Sequence, residues 1–351
     1  MEIITRSPAY RALAAFCCVV LLLSFMLPGC SVSPAPTETG DLETHPSSSQ
    51  PAQATAPTET TTPTETTTPT ETTTPTETTT PTETTTPTEP PSPTEATKDS
   101  SEMIGSLYTR QELEALDRTS NGYGPGNTSG GKRPPYAVSD QQKYEKYGAN
   151  FIAPESDKVY LTFDCGYEYS FKDESGKTVR VTEWILDTLK EKNVKAVFFV
   201  TMPYCKSQPD LVRRMIDEGH AVGNHTNHHP SSLANLSIDD MVYEIMSLHE
   251  YVKEQFGYEM HLLRPPTGAF SIQSLAVAQS LGYKTVHWSF AYADWTPENQ
   301  PQIQSAYQTI TGRHHGGAIY LLHAVSVTNA TVLGDVIDFM RNQGYQLALF
   351  S

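Results

Sequence analysis

Prolines at positions 57, 63, 69, 75, 81 and 87 head a strict six-residue repeat, Pro-Thr-Glu-Thr-Thr-Thr. No other feature limits the folding of this chain so sharply. The repeat offers almost no apolar side chains, so burial cannot offset the entropy of ordering it. Regular proline and evenly spaced glutamates favour an extended, self-repelling segment. Residues 31–100 therefore read as a disordered tether, able to reach on the order of 200 Å at about 3.1 Å per residue. A tolerated expansion of no particular length is the bland alternative. The stretch holds eleven acidic residues and one basic residue, so it carries ten of the sixteen net negative charges. The acidity thus belongs largely to the tether. Beyond it the chain has no basic stripe of the kind a phosphate backbone requires, and no nucleic-acid partner is expected.

At the N-terminus Arg6 and Arg11 precede an apolar run over 12–27, broken only by Ser24 and followed by Pro28, Gly29 and Cys30. The run is shorter than the roughly 20 residues of a membrane-spanning helix but suits the core of an export signal. Its ending resembles a bacterial lipoprotein signal over residues 1–30, although Pro28 departs from the usual pattern. That resemblance implies lipid on Cys30, with the membrane as a partner and an exported, membrane-anchored protein facing the cell wall; ordinary secretion and an uncleaved anchor are the alternatives. Cys17 and Cys18 would leave with the signal. Cys165 and Cys205 remain as a possible disulfide, which a domain of about 200 residues does not need.

Residues 101–150 read as a neck that packs on the following domain, with a helix over 109–118 and a glycine-rich loop over 121–131. From 151 to 351 strand and helix signals alternate. Apolar runs at 159–163, 196–200, 221–223, 262–263, 284–288 and 318–322 predict strands. Helical patterns cover 182–192, 208–218, 237–256, 271–281 and 331–343, with Ser237 as a cap. Such alternation predicts an α/β fold with a parallel sheet, and this many units predict a barrel. Chemistry in such barrels sits at the carboxyl ends of the strands.

The polar residues obey that rule. Asp164 and Cys165 follow the first strand, and His225, His228 and His229 follow the third. Arg264 follows the fourth, Asp294 lies beyond the fifth, and His323 ends the sixth. Taken singly, each has a bland reading: a helix cap, a turn, or a satisfied core histidine. Together, at one end of one sheet, they mark a site.

The pattern resembles the polysaccharide deacetylases of the NodB-homology type, carbohydrate esterase family 4. The motifs run in order over residues 133–351: 162–166 (Thr-Phe-Asp-Cys-Gly), 225–229 (His-Thr-Asn-His-His), 264–268 (Arg-Pro-Pro-Thr-Gly), 294–295 (Asp-Trp) and 321–323 (Leu-Leu-His). Gly166-Tyr167-Glu168, the 207–212 segment and the 224–230 run look most like the branch that makes muramic δ-lactam, whose members deacetylate N-acetylmuramic acid in peptidoglycan. A deacetylase of N-acetylglucosamine or of another acetylated polysaccharide is the nearest alternative, and a wall-binding lipoprotein without activity is a third.

Membership implies a distorted (β/α) barrel of fewer than eight repeats, a divalent metal, and peptidoglycan glycan strands as partner; a monomer is expected. It also implies roles. His225 and His229 would be metal ligands, and their i, i+4 spacing suits two imidazoles on one helical turn. Asp164 would be the general base, His323 the general acid, Arg264 the partner of Asp164, and Asp294 the partner of His323. The Thr267 N–H would donate to the oxyanion. Cys165 stands where the family's common form has a second aspartate. As a thiolate it would complete a Cys-His-His site favouring zinc; a spectator thiol or a disulfide with Cys205 are the alternatives. Residues 171–181 form an insertion that reads as a hairpin turning at 175–176, with Lys177 or Arg180 candidates to touch the glycan. Tyr292 and Trp295 are candidates to stack on a sugar, with packing the favoured reading for Trp295.

Overall fold

The computed structural model describes residues 105 and 107–351. The export signal, Cys30 and the repeat lie outside the described residues. The neck carries helices α1 (Arg110–Glu114) and α2 (Pro135–Tyr144), then strand β1 (Ala149–Asn150). Strand β2 (Lys158–Cys165) leads into the hairpin β3 (Ser170–Lys172) and β4 (Thr178–Arg180), followed by α3 (Val181–Glu191). Next come β5 (Val197–Val200), α4 (Met202–Ser207), α5 (Pro209–Asp217), β6 (Ala221–Asn224), α6 (Ile238–Phe256), β7 (Leu262–Leu263) and α7 (Ile272–Ser280). The chain finishes with β8 (Lys284–Val286), α8 (Ile303–Gly312), β9 (Ile319–His323), α9 (Val327–Asn342) and β10 (Gln346–Leu347).

The main sheet runs β1-β8-β7-β6-β5-β2, all parallel, and the far edge of β2 is shared by β9 and β10. Phe290, beyond β8, exchanges backbone hydrogen bonds with β9, from Phe290 N to Ile319 O at 3.2 Å and from Leu321 N to Phe290 O at 2.9 Å. This contact curls the sheet into the expected distorted barrel. Strands covered on both faces must be apolar throughout, and Val197–Val200 is buried at every position.

Helix α6 shows how the outer layer is specified. The Ser237 side chain accepts from Asp240 N at 3.2 Å, and Asp239 and Asp240 sit in the first turn against the helix dipole. Gly257, at φ 68°, ends the helix. Ile238, Met241, Val242, Ile245, Leu248 and Val252 form one buried stripe. Removing one of them, as in Leu248→Ala, would cost about 2–5 kcal/mol.

Several boundaries differ from expectation. The neck helix is shorter than 109–118, because after α1 the chain turns to bond the domain, with Asp117 O accepting from Gln273 N at 3.0 Å. Strand β8 stops at Val286 because the next two carbonyls are turned to other donors: His287 O accepts from Arg264 Nη2 and Trp288 O from the Tyr123 hydroxyl. Helix α9 begins at Val327, before the expected 331, where the Ser326 side chain caps Asn329 N. Helices α2, α4 and α8 are additional to those expected, although Pro135 at the start of α2 and the Thr201 cap with Pro203 of α4 are helix-start signals. The neck is also no separate layer, since β1 pairs with β8 and Leu113 lies in the main core.

Candidate active site

Register builds the site. Asp164 on β2 and His323 on β9 are direct partners across a parallel pair, and neighbouring strands lie only about 4.8 Å apart. Along the same row Asp164 faces Phe199 and Phe199 faces Gly223. A Cβ on Gly223 would lie 2.4 Å from the Phe199 ring, so only glycine admits that ring. The Arg264 guanidinium sits 4.2 Å above the same ring.

Arg264 is fully buried and fixed in every direction. Its Nη1 donates to Asp164 Oδ1 at 2.8 Å, Nε to Val286 O at 3.1 Å, and Nη2 to His287 O at 3.1 Å. Burial pushes the Asp164 carboxyl upward, but the charges of Arg264, His225 and His323 outweigh it and hold the group below the usual carboxylate range. Asp164 is thus a buried, oriented carboxylate.

His225 Nε2 lies 3.5 Å from Asp164 Oδ2, and its Nδ1 is 2.8 Å from Arg264 O. A carbonyl only accepts, so Nδ1 carries the proton and Nε2 keeps its lone pair. Burial pushes the imidazole down to about 4, so it stays neutral. The His229 ring centroid is 4.8 Å away. The expected helical turn is absent: 225–229 is a loop in which Thr226 and His229 adopt φ 70° and 54°. The Thr226 hydroxyl, accepting from His229 N at 3.1 Å, holds this folded-back shape. His228 points elsewhere, with Nδ1 2.7 Å from Glu244 Oε1 and its side chain 65 % exposed.

On the opposite side His323 Nδ1 meets Asp294 Oδ1 at 2.7 Å. Burial lowers the imidazole, but the Asp294 bond and charge, helped by Asp164, outweigh it and raise the group above its ordinary value. The other Asp294 oxygen accepts from His323 N at 2.9 Å and from Asn329 Nδ2 at 2.6 Å. Asp164, His225, His229, Thr267 and His323 all line one cavity of about 960 Å³. Its remaining walls are mainly aromatic and apolar, including Tyr167, Tyr292 and Trp295.

This chain is similar in sequence and fold to proteins of known family. A polysaccharide deacetylase family profile matches residues 152–286. The peptidoglycan-N-acetylmuramic acid deacetylase PdaA of Bacillus subtilis is 43 % identical over 203 residues, covering 57 % of this chain and 73 % of that protein. The chain belongs to the polysaccharide deacetylase family. An uncharacterized 30.6 kDa protein of Geobacillus stearothermophilus is 41 % identical over 216 residues, covering 61 % of this deacetylase and 77 % of that protein. The solved structure of Bacillus subtilis PdaA, a family 4 carbohydrate esterase, superposes with a TM-score of 0.60 at 37 % identity. It covers 66 % of the deacetylase chain and 95 % of its own.

Family 4 deacetylases generally depend on a divalent metal, and part of this deacetylase's donor set fits one. Two adjacent imidazoles line the cavity, and His225 presents a free Nε2 beside a carboxylate. Cys165 does not join them. In the extended β2, successive side chains face opposite sides, so with Asp164 toward the cavity Cys165 enters the apolar core, fully buried. Burial and the charge of nearby Glu168 push its thiol well above the usual range. Among the described residues no three His, Cys, Asp or Glu side chains form a metal cage. The disulfide alternative also fails, because Cys165 and Cys205 are both free.

Other candidates divide. Thr267 lines the cavity at φ 59°, with its hydroxyl donating to Ser231 O at 3.0 Å. Tyr292 lines it too and donates to Asn329. Trp295 is 54 % exposed, edge-on to His323 with centroids 5.7 Å apart, so the expected packing role gives way to an open aromatic face. The insertion forms the expected hairpin, but Arg180 is held by Asp210 at 2.7 Å and Glu183 at 3.3 Å and does not line the cavity. Sequence reading missed Asn329, which ties Asp294 to Tyr292 across 35 positions of chain. It also missed Tyr123, Gly124 and Pro125 of the neck, which line the cavity. The only signal for them was the glycine-rich composition of 121–131.

Proposed function

We propose that this deacetylase hydrolyses the acetamide of N-acetylmuramic acid residues in peptidoglycan. The similarity to PdaA supports that substrate, and the observation that carries the chemistry is the facing pair Asp164 and His323. Asp164, ionised beside Arg264, takes a proton from the attacking water. The water oxygen bonds to the acetyl carbon and negative charge gathers on the carbonyl oxygen. The Thr267 N–H is proposed as a donor to that oxygen. His323, held protonated by Asp294, gives its proton to the nitrogen as the C–N bond breaks, leaving acetate and a free amine. His225 and His229 are proposed to hold the divalent ion, which when bound polarises the water and the carbonyl. With Cys165 in the core, a preference for zinc would come from the two imidazoles, a ligand type that suits it. Trp295 and Tyr292 are proposed faces for the sugar ring.

Residues 1–30 as signal, lipid on Cys30 and the tether complete the proposal: an exported monomer anchored at the membrane and reaching peptidoglycan. The acid–base set disfavours a protein that merely binds wall, since binding needs neither a base nor an acid. Acetate release from peptidoglycan glycan strands and from chitooligosaccharides tests the reading. Release from the first is expected, with mass spectrometry placing the lost acetyl group on muramic residues; loss from glucosamine residues instead would overturn the muramic reading. Release from chitooligosaccharides alone would assign an N-acetylglucosamine substrate, and release from neither would end the proposal.

A further inference from the structure

A second cavity of about 200 Å³ adjoins the first and shares Gly124, Pro125 and Ala291 with it. Arg313 lines this smaller space together with Asn127 and Thr128 of the neck. Each of the other eight described arginines donates at least one hydrogen bond to a carboxylate, a carbonyl or an amide oxygen. Arg313 meets none among the described residues; its guanidinium has only the Phe290 ring, 5.9 Å away. A guanidinium is always charged and offers five donors in a planar fork matched to carboxylate. Leaving one unmatched sets Arg313 apart from the other described arginines. A half-buried cation beside Asn127 and Thr128, in a space that shares walls with the reaction cavity, suits an anion carried by the substrate.

We infer that Arg313 binds a carboxylate of the glycan while the acetamide occupies the main cavity. Resting on the muramic reading above, this names the feature that separates muramic from glucosamine units. Muramic acid carries a lactyl carboxylate, whereas N-acetylglucosamine has none. Where a stem peptide is attached, the lactyl carboxyl becomes an amide and the peptide supplies carboxylates instead. The chemistry at Arg313 is shared by both sources.

The test is direct binding, which requires no turnover. N-acetylmuramic acid, N-acetylglucosamine and an N-acetylmuramoyl peptide are titrated against the full chain and its Arg313→Gln and Arg313→Lys variants. Wild type should bind N-acetylmuramic acid about tenfold tighter than N-acetylglucosamine, the scale of one charge-assisted hydrogen bond. Arg313→Gln should abolish that preference without changing N-acetylglucosamine binding, and Arg313→Lys should keep part of it. If only the free acid shows the Arg313-dependent gain, the lactyl group supplies the carboxylate; if only the peptide-bearing sugar does, the stem supplies it; if both do, Arg313 accepts either. Equal binding of all three sugars by wild type, or a preference that survives Arg313→Gln, overturns the inference. Acetate release by wild type, scored separately, reports on the proposed reaction: activity with an unaltered Arg313→Gln preference sinks only the subsite, whereas absent activity with an Arg313-dependent preference sinks only the reaction.

Discussion

Two histidines flank Asp164, and the fold drives them in opposite directions. His225, at the end of β6, is buried with a backbone carbonyl on Nδ1 and is pushed down to about 4. His323, at the end of β9, is also buried, yet the Asp294 carboxylate on its Nδ1 raises it above its ordinary value. Burial alone disfavours the charged form of both. The partner on the far nitrogen decides the outcome: a neutral carbonyl leaves a lone-pair donor, and a carboxylate makes a proton donor. One residue type thereby presents two protonation states to the carboxylate proposed as the base.

The largest effect is expected where both sides meet. Asp164→Asn should lower kcat for acetate release by about 10²–10⁴-fold, the range for a lost general base; a variant within a few fold of wild type would dissolve the division of roles. Next, elemental analysis should find that His225→Ala and His229→Ala lose the bound divalent ion and with it activity, whereas His228→Ala, whose ring is turned to Glu244, keeps both. Loss of the ion in His228→Ala would reverse the assignment within the histidine run.

On the acid side the expected effect depends on pH. His323 must be protonated to donate, so kcat should fall as pH rises through its raised pKa. Asp294→Asn removes the charge that raises it, so the fall should move to lower pH, with a loss of about tenfold or more on the alkaline side and less on the acid side. An unshifted profile would show that Asp294 does not set the state of His323. The smallest effect on activity is expected at Cys165. Cys165→Ser should leave metal content and kcat intact while the urea midpoint drops by the equivalent of about 1–3 kcal/mol, because a hydroxyl replaces a core thiol. Metal loss in this variant would return Cys165 to the ligand set.

The alternation of strands and helices, the barrel, and the gathering of Asp164, His225, Arg264, Asp294 and His323 at one strand end were legible in the sequence. Each follows from local periodicity and from chain order, which a linear reading retains. The side faced by Cys165 was legible in principle, since adjacent residues of a strand point oppositely, but that required seeing that β2 runs to Cys165 and does not stop at Phe163. Which of three histidines enter the site, how Asn329 links Asp294 to Tyr292, and how the neck walls both cavities depended on contacts between residues far apart in the chain. Spacing encodes the period of a single element, whereas those contacts are chosen by packing between elements, and only the folded chain brings the partners together.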